Sequence, residues 1–436
     1  MKKPVVIILL VAALLFVLAG IGATLFFTLG SPGSVFNPDL VSATAEESKT
    51  LKVDGPVALK VVDDAGSVTI VGADVDSVEV DVVKTAHAPT QARAEEELKK
   101  VKYEIKQTGN AITLRYTIPQ VRVNNGPVNL VSPNWETVDF IVTVPNETTV
   151  DVDAGFGEVS VSATHGNVNI VNDFGDVTLQ NIEGGVTVET ESGRVDASSI
   201  NAGSANIELS SGFGKVSLEK ASGKDIQLDS NSGVLEMTNV RASGNVEMST
   251  DFGDTLFTSG SADSLNVKTN SGKVTLNTLN LSGALTAKSD FGEISLEQVK
   301  ATSYDLQTNS GSITADGVLG KVKAHSGFGS VTVKNADSMT LDLSTQSGSV
   351  VFEGSLGEGP HNVYSDFGEI SLTIPADSAL NVDLKTDFGK ITSEIPITVV
   401  LSGDIEKSHQ TGTMNDGGAQ LTVKTNSGNI SIRAGK

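Results

Sequence analysis

The chain has 436 residues, a formal net charge of −22 and no cysteine. The acidic balance excludes a nucleic-acid partner, because phosphate binding needs clustered lysine and arginine. The lack of cysteine excludes disulfides, thiolate metal sites and a lipidated N-terminal cysteine.

The first 50 residues predict a membrane anchor and a stalk. Lys2 and Lys3 precede an apolar run over residues 5–29, which exceeds the roughly 20 residues that a spanning helix needs. The positive-inside tendency predicts a single-pass cell-membrane protein with its C-terminal part extracellular. A cleaved signal peptide is the alternative, although its apolar core is usually shorter. Residues 1–30 are thus predicted to hold cytoplasmic lysines and the transmembrane helix, and 31–50 a flexible stalk.

Residues 51–150 predict a small α+β domain that caps the following repeats. Alternating apolar residues indicate strands at 57–62, 67–71 and 78–83. Thr90 is a plausible N-cap for a short helix, and a hairpin follows around Thr108 and Gly109. The single tryptophan, Trp135, is expected to pack in this domain. Such a domain would cover the open first rung of a repeat structure.

Residues 151–390 repeat with a fixed period. The octapeptide SDFGEISL occurs at 289–296 and again at 365–372, and Phe-Gly corners recur about every 39 residues, with Ser-Gly corners midway between them. After each glycine, apolar and polar residues alternate as in a strand with one buried face, for example at Val274 and Leu276. Stacked units of this kind share one core, so we predict an all-β, parallel β-solenoid (β-helix).

Two coil sizes fit the spacing. In one, a coil of about 19.5 residues has two strands, and Phe and Ser alternate at the same corner. In the other, a coil of about 39 residues has four strands, and Phe stacks on Phe. Both halves of the repeat carry the same alternation and turn signals, which favours the shorter coil.

Eight phenylalanines form a candidate surface or corner stripe. The expectation is that their rings fill the corner of the core beside Ser on the neighbouring rung; the alternative is an exposed stripe that stacks on sugars or on a protein partner. The stripe comprises Phe156, Phe174, Phe213, Phe252, Phe291, Phe328, Phe367 and Phe388.

Carboxylates flank several of these corners, as at Asp290 and Glu293. They could hold calcium, but the repeat lacks the glycine-rich nonapeptide of calcium-binding β-rolls. Capping of local backbone N–H groups is the preferred interpretation, so no metal or cofactor is predicted.

After Phe388 the regularity fades, and residues 391–436 predict a C-terminal cap that ends in two strands. The sequence resembles the bacterial putative-adhesin family, a domain of unknown function with membrane-anchored β-strand repeats. The resemblance rests on GSVTIVG at 66–72, the helix and hairpin at 90–118, FIVTVP at 140–145 and NSGNISIR at 426–433. It implies a surface location and adhesion, and brings no catalytic residues.

The sequence predicts that the protein is not an enzyme. The five histidines are scattered, and no nucleophile elbow or phosphate loop is present. We expect a non-catalytic, membrane-anchored extracellular rod that serves as an adhesin, a spacer or a binding protein for a surface glycan or protein. The alternative is an extracellular polysaccharide-active enzyme on a β-helix scaffold, since fold alone does not decide activity.

Overall fold

A computed structural model describes residues 40–118, 136–399 and 408–435. The predicted transmembrane segment at 5–29 and Trp135 lie outside these residues. Within the described ranges, no helix is long and apolar enough to cross a membrane.

The N-terminal part of the described chain consists of strands and one short helix. These are β1 (Val41–Lys52), β2 (Val57–Asp63), β3 (Val68–Ala73), β4 (Ser77–Ala88), α1 (Gln91–Leu98), β5 (Tyr103–Thr108), β6 (Ala111–Tyr116) and β7 (Thr137–Pro145). The helix begins at Thr90, whose hydroxyl accepts a hydrogen bond from the Arg93 N–H, as an N-cap residue does. Strands β5 and β6 form the predicted antiparallel hairpin.

The predicted flexible stalk is wrong over residues 41–50. These residues belong to β1, which pairs antiparallel with β4 along its whole length. Ala43 and Leu51 of β1 are buried, and Ala43 packs with Ala94 of α1. Apolar contacts at these two positions and a complete hydrogen-bonded ladder hold a segment whose composition alone is typical of a linker.

The repeat region forms successive pairs of short strands. They are β8 (Thr148–Phe156), β9 (Val159–Ser162), β10 (Val168–Phe174), β11 (Val177–Glu183), β12 (Val186–Ser192), β13 (Val195–Asn201), β14 (Ile207–Phe213), β15 (Val216–Gly223), β16 (Ile226–Ser232), β17 (Leu235–Ala242), β18 (Val246–Phe252), β19 (Thr255–Ala262), β20 (Leu265–Ser271), β21 (Val274–Leu281), β22 (Ala284–Ser289), β23 (Ile294–Lys300), β24 (Ser303–Thr308), β25 (Ile313–Asp316), β26 (Leu319–Ser326), β27 (Val331–Ser347), β28 (Val350–Leu356), β29 (His361–Phe367) and β30 (Ile370–Pro375).

These pairs build a parallel β-solenoid of about 11 turns. From β8 to β25, each strand pairs in parallel with the strand two places along the chain: Val168 of β10 faces Val186 of β12, which faces Ile207 of β14. The long strand β27 then pairs with both β26 and β28. The coil therefore has two strands and about 20 residues, as preferred from the sequence, and the four-strand coil is wrong. Equivalent aliphatic residues stack on one another, which buries one continuous core between the two sheets.

Most coils contain one residue in the left-handed backbone conformation. Thr278 (φ 54°) in β21 is an example, and Asn239 and Gln298 take the same position in other coils. This conformation changes the alternation, so that Leu279 faces the core three residues after Leu276. The spacing of three residues between the buried Leu276 and Leu279 thus results from a bend within one strand.

The C-terminal part contains β31 (Leu380–Phe388), β32 (Ile391–Ser393), β33 (Ile397–Thr398), β34 (His409–Met414), β35 (Ala419–Ser427) and β36 (Ile430–Gly435). The final pair does not lie at the end of the solenoid, in contrast to the sequence expectation. Strand β35 lies between β29 and β31, and β36 lies between β30 and β32. The end is covered instead by β34, which pairs antiparallel with β31, and by β33, which pairs antiparallel with β34.

The N-terminal end has the same arrangement. Strand β2 lies between β6 and β8, and β3 lies between β7 and β9. Antiparallel β4 then pairs with β7. The pair β2 and β3 therefore lies one rung inside the outermost parallel rung, which β6 and β7 form. In the same way, β35 and β36 lie one rung inside the outermost rung at the other end, which β31 and β32 form.

Candidate binding surface

The eight phenylalanines of the repeated corner are exposed. Their exposed fractions run from 45% for Phe174 to 79% for Phe388. The expectation that these rings fill the corner of the core is therefore wrong. We call this set the Phe ladder; it consists of Phe156, Phe174, Phe213, Phe252, Phe291, Phe328, Phe367 and Phe388.

The Phe ladder follows one corner of the solenoid, with Ser on the intervening rungs. Phe252 pairs with Ser232 on one side and Ser271 on the other. Because neighbouring strands lie about 4.8 Å apart, rings on alternate rungs are about 9.6 Å apart. Phe156 and Phe174 are an exception: they lie on adjacent rungs, and their rings stack with centroids 5.1 Å apart.

The alternation continues through the inserted strand. Phe367 and Phe388 follow each other in successive repeats along the chain, and both pair with Ser427 of β35. Ser427 thus separates two rings that would otherwise lie on adjacent rungs. The ladder extends over about 60 Å, because 13 rung steps of about 4.8 Å separate Phe156 from Phe388.

A column of glycines lies directly beside the Phe ladder. A Cβ atom on Gly272 would lie 1.8 Å from the carbonyl oxygen of Gly253, and one on Gly292 would lie 1.8 Å from that of Gly272. Gly272 has no left-handed φ, so the requirement for glycine comes from close approach between coils. This column keeps the corner tight and the rungs in register.

Buried hydroxyl groups fill the inside of the same corner. Thr308 Oγ1 donates to the Gly292 carbonyl (3.0 Å), and Thr345 Oγ1 donates to that of Gly329 (2.8 Å). These hydroxyls use the space that a phenyl ring would need, which gives the physical reason why the rings point outward. The sequence signal is the Ser or Thr two residues before each corner Phe or Ser from Ser192 onward; Phe156 and Phe174 have Ala154 and Asn172 there instead. The alternation of apolar residues alone does not show this signal.

A polar column borders the ladder on one side. On alternate rungs Asn side chains donate to Asp side chains: Asn270 to Asp251 (2.8 Å) and Asn426 to Asp366 (2.7 Å). No lysine or arginine occupies this column in the repeat region. Its carboxylates are Asp173, Glu191, Asp251, Asp290, Asp366 and Asp387.

A family model described as Toastrack DUF4097 matches residues 68–260 and 255–433. The chain belongs to the Toastrack family. Among solved structures, the Toastrack chain matches a putative cell adhesion protein from Clostridium sporogenes (11% identity, 90% of this chain and 100% of that chain covered, TM-score 0.17). A putative adhesin from Bacteroides fragilis is another similar structure (17% identity, 62% and 96% covered, TM-score 0.32). No curated protein matches the sequence.

The carboxylates of this Toastrack solenoid do not form clusters. Within residues 40–118, 136–399 and 408–435, no group of three His, Cys, Asp or Glu side chains could hold a metal ion. Over residues 231–309 of the ladder an amide separates neighbouring carboxylates, whereas Asp173 and Glu191 lie on adjacent rungs.

The histidines that the sequence shows as scattered are also separate in the Toastrack structure. His165 Nε2 lies 4.0 Å from Glu183 Oε1. His409 Nε2 lies 2.7 Å from Asp383 Oδ1 near the C-terminal end. His361 is buried in the core, and burial lowers its pKa. The chain does not bring these side chains together at one place.

One surface depression lies away from the Phe ladder, at the N-terminal end of the Toastrack solenoid. It has a volume of about 380 Å³, and Glu47, Lys84 and Tyr103 contribute to its lining. Lys84 and Tyr103 both donate to the Glu47 carboxylate, and these hydrogen bonds lower its pKa. Burial raises the pKa of Tyr103 to about 12.

Proposed function

We propose that this Toastrack protein is a non-catalytic, membrane-anchored surface protein that binds an extended partner along the Phe ladder. The observation that carries the proposal is the line of eight exposed phenyl rings on an otherwise polar corner. Soluble proteins rarely expose a long row of large apolar side chains unless it is an interaction site. A partner that covers the rings would gain their burial at many equivalent points.

The shape of the surface supports binding rather than catalysis. The ladder is an exposed ridge on short, regular turns, whereas substrates are usually turned over in concave sites with convergent polar groups. A polysaccharide-active enzyme is the second candidate, and it would need carboxylates gathered beside the rings. Over residues 231–309 the carboxylates instead alternate with amides, which favours the binding function.

The apolar run at 5–29 supports attachment to the cell membrane, with the solenoid extracellular. Because the chain has no cysteine, labelling of a single introduced cysteine shows on which side of the membrane that residue lies. We expect Asp342→Cys, at an exposed position, to react with a membrane-impermeant maleimide on intact cells, and Lys3→Cys to react only after permeabilisation. The reverse pattern would disprove this orientation.

The binding function is tested on an array of surface glycans and proteins with the full-length chain in detergent. We expect binding that is lost in Phe213→Ser/Phe252→Ser/Phe291→Ser/Phe328→Ser. A matched control, Val71→Ser/Leu319→Ser, removes exposed apolar side chains outside the ladder and should bind as the wild type does. Equal binding by the quadruple variant would overturn the proposal.

A further inference from the structure

We propose that the partner of the Phe ladder is a peptide in the polyproline II conformation with lysine or arginine at every third residue. This inference rests on the proposed binding function and specifies the ligand class. Four features carry it: the spacing of the rings, the charge beside them, the amide donors between them and the length of the ladder.

The ring spacing selects a polymer with a matching repeat. Polyproline II has three residues per turn and rises about 3.1 Å per residue, so one face recurs every 9.3 Å or so. This is close to the spacing of about 9.6 Å between alternate rungs. An extended β-strand presents one face every 6.6 Å or so, and two turns of an α-helix rise about 10.8 Å. Both lose step with the rings within a few repeats.

The column of carboxylates beside the rings selects a cationic partner. Of these carboxylates, Asp387 already has the Lys385 ammonium 3.6 Å away. Asp251 and Asp290 precede ladder phenylalanines on alternate rungs, and both are exposed. Each carboxylate accepts one hydrogen bond from an Asn, at 2.8 Å for Asp251 and 3.1 Å for Asp290, so lone pairs remain for an ammonium or guanidinium group. Neutral and acidic glycans offer no cation for this column, which favours a basic peptide over a sugar polymer.

The amide donors suit a backbone that has no internal hydrogen bonds. A polyproline II chain leaves its carbonyl groups free. Asn270 and Asn309 each use one side-chain N–H for an Asp, and the second N–H of each amide remains for a ligand carbonyl. Aromatic surfaces that recognise proline-rich segments use this preformed, low-entropy conformation.

The length of the ladder predicts a dependence on ligand length. Each ring pair and each carboxylate adds an equivalent contact, so longer peptides bind several sites at a high effective concentration. The probes are labelled peptides with two or six Pro-Pro-Lys repeats, measured by fluorescence anisotropy with the full-length protein in detergent. We expect the longer peptide to bind at least about tenfold more tightly.

Variants separate the ladder from the general negative charge of the protein. Phe252→Ser/Phe291→Ser should weaken binding of the six-repeat peptide about tenfold, whereas Val71→Ser/Leu319→Ser should leave it unchanged. Asp251→Asn/Asp290→Asn should weaken binding and reduce its salt dependence. The matched control for charge, Glu208→Gln/Asp342→Asn, replaces exposed carboxylates away from the ladder and should have little effect.

A peptide of the same composition with lysines off the three-residue period tests the spacing directly. Equal binding of this shuffled peptide would overturn the inference, because charge alone would then explain it. Ladder-dependent binding of chito- or cello-oligosaccharides, without binding of the repeat peptide, would also overturn it and would leave the proposed binding function intact. Unchanged array binding by the quadruple Phe variant would instead overturn the proposed function itself.

Discussion

Thr425 Oγ1 donates a hydrogen bond to the carbonyl oxygen of Gly368 over 3.1 Å, although the two residues lie 57 positions apart in the chain. Thr308 makes the same bond to Gly292, only 16 positions away. The inserted strand β35 therefore makes the contact that sequential coils make with each other. A rung can therefore stack on any neighbour with which it forms these corner contacts, however far apart the two rungs are in the sequence.

The glycine column predicts a strong effect of a single methyl group. Gly272→Ala would place Cβ 1.8 Å from a backbone oxygen, so neighbouring coils must separate at this corner. We expect a loss of about 3 kcal/mol in the free energy of unfolding, measured by urea denaturation. Gly435→Ala, whose added Cβ would meet nothing closer than 3.4 Å, is the control. Equal stability of the two variants would contradict the close-approach explanation.

The buried hydroxyl groups allow a matched comparison. Thr308→Val removes the donor to Gly292 and should destabilise the protein by about 1 kcal/mol. Thr190 is equally buried, but its hydroxyl finds no hydrogen-bond partner among the described residues, so Thr190→Val should be neutral or stabilising. Thermal or urea unfolding of both variants tests this. A larger loss for Thr190→Val than for Thr308→Val would refute the role of the hydroxyl bonds.

Thr278 has a left-handed φ of 54°, which is unfavourable for a β-branched residue. Asn tolerates this conformation better, so Thr278→Asn should stabilise the protein by about 0.5 to 1 kcal/mol. Thr275 lies in the same strand without a left-handed φ, and Thr275→Asn should be slightly destabilising. The midpoints of urea unfolding check both changes, and a shift of the same sign in the two variants would argue against backbone strain at Thr278.

Asp63 predicts a pH dependence of stability. Burial raises its pKa to about 8, whereas an unfolded chain has a value of about 3.9. Between these values the folded state keeps a proton that the unfolded state has lost, so stability falls by roughly 1.4 kcal/mol for each pH unit as the pH rises. Asp63→Asn should remove this slope and stabilise the protein at neutral pH.

Urea unfolding at several pH values between about 4 and 8 measures the slope that Asp63 contributes. Asp54→Asn, at an exposed position, is the control and should keep the wild-type dependence. If Asp63→Asn kept it too, another group would be responsible.

The solenoid, its two-strand coil and the hairpin could be predicted because each depends on local alternation. Val274 and Leu276 face the core as a period of two requires. The exposure of the Phe ladder could not be predicted in this way, because the alternation ends where the chain turns at the glycine. The left-handed position was hidden because residues as different as Ala163, Lys220 and Gln298 occupy it.

The location of β35 was not predictable for another reason. Thr425, Ser427 and Gly428 of β35 repeat the corner residues of the alternate coils that carry Ser at the corner. The sequence pattern therefore does not say which rungs β35 lies between. Nothing in the local sequence marks a strand pair that skips over its predecessor. In the structure, β31 pairs with antiparallel β34 on one side and with β35 on the other.

The insertion of a strand pair at each end limits how such a molecule gains or loses length in evolution. A duplicated coil added to either terminus would have to displace β2 and β3 or β35 and β36 from between their neighbours. A coil duplicated in the interior only lengthens the stack and leaves both interlocked ends as they are. Duplication of interior coils in pairs would then add one phenyl ring to the Phe ladder for every two coils. The length of the solenoid and the number of exposed rings would therefore increase together.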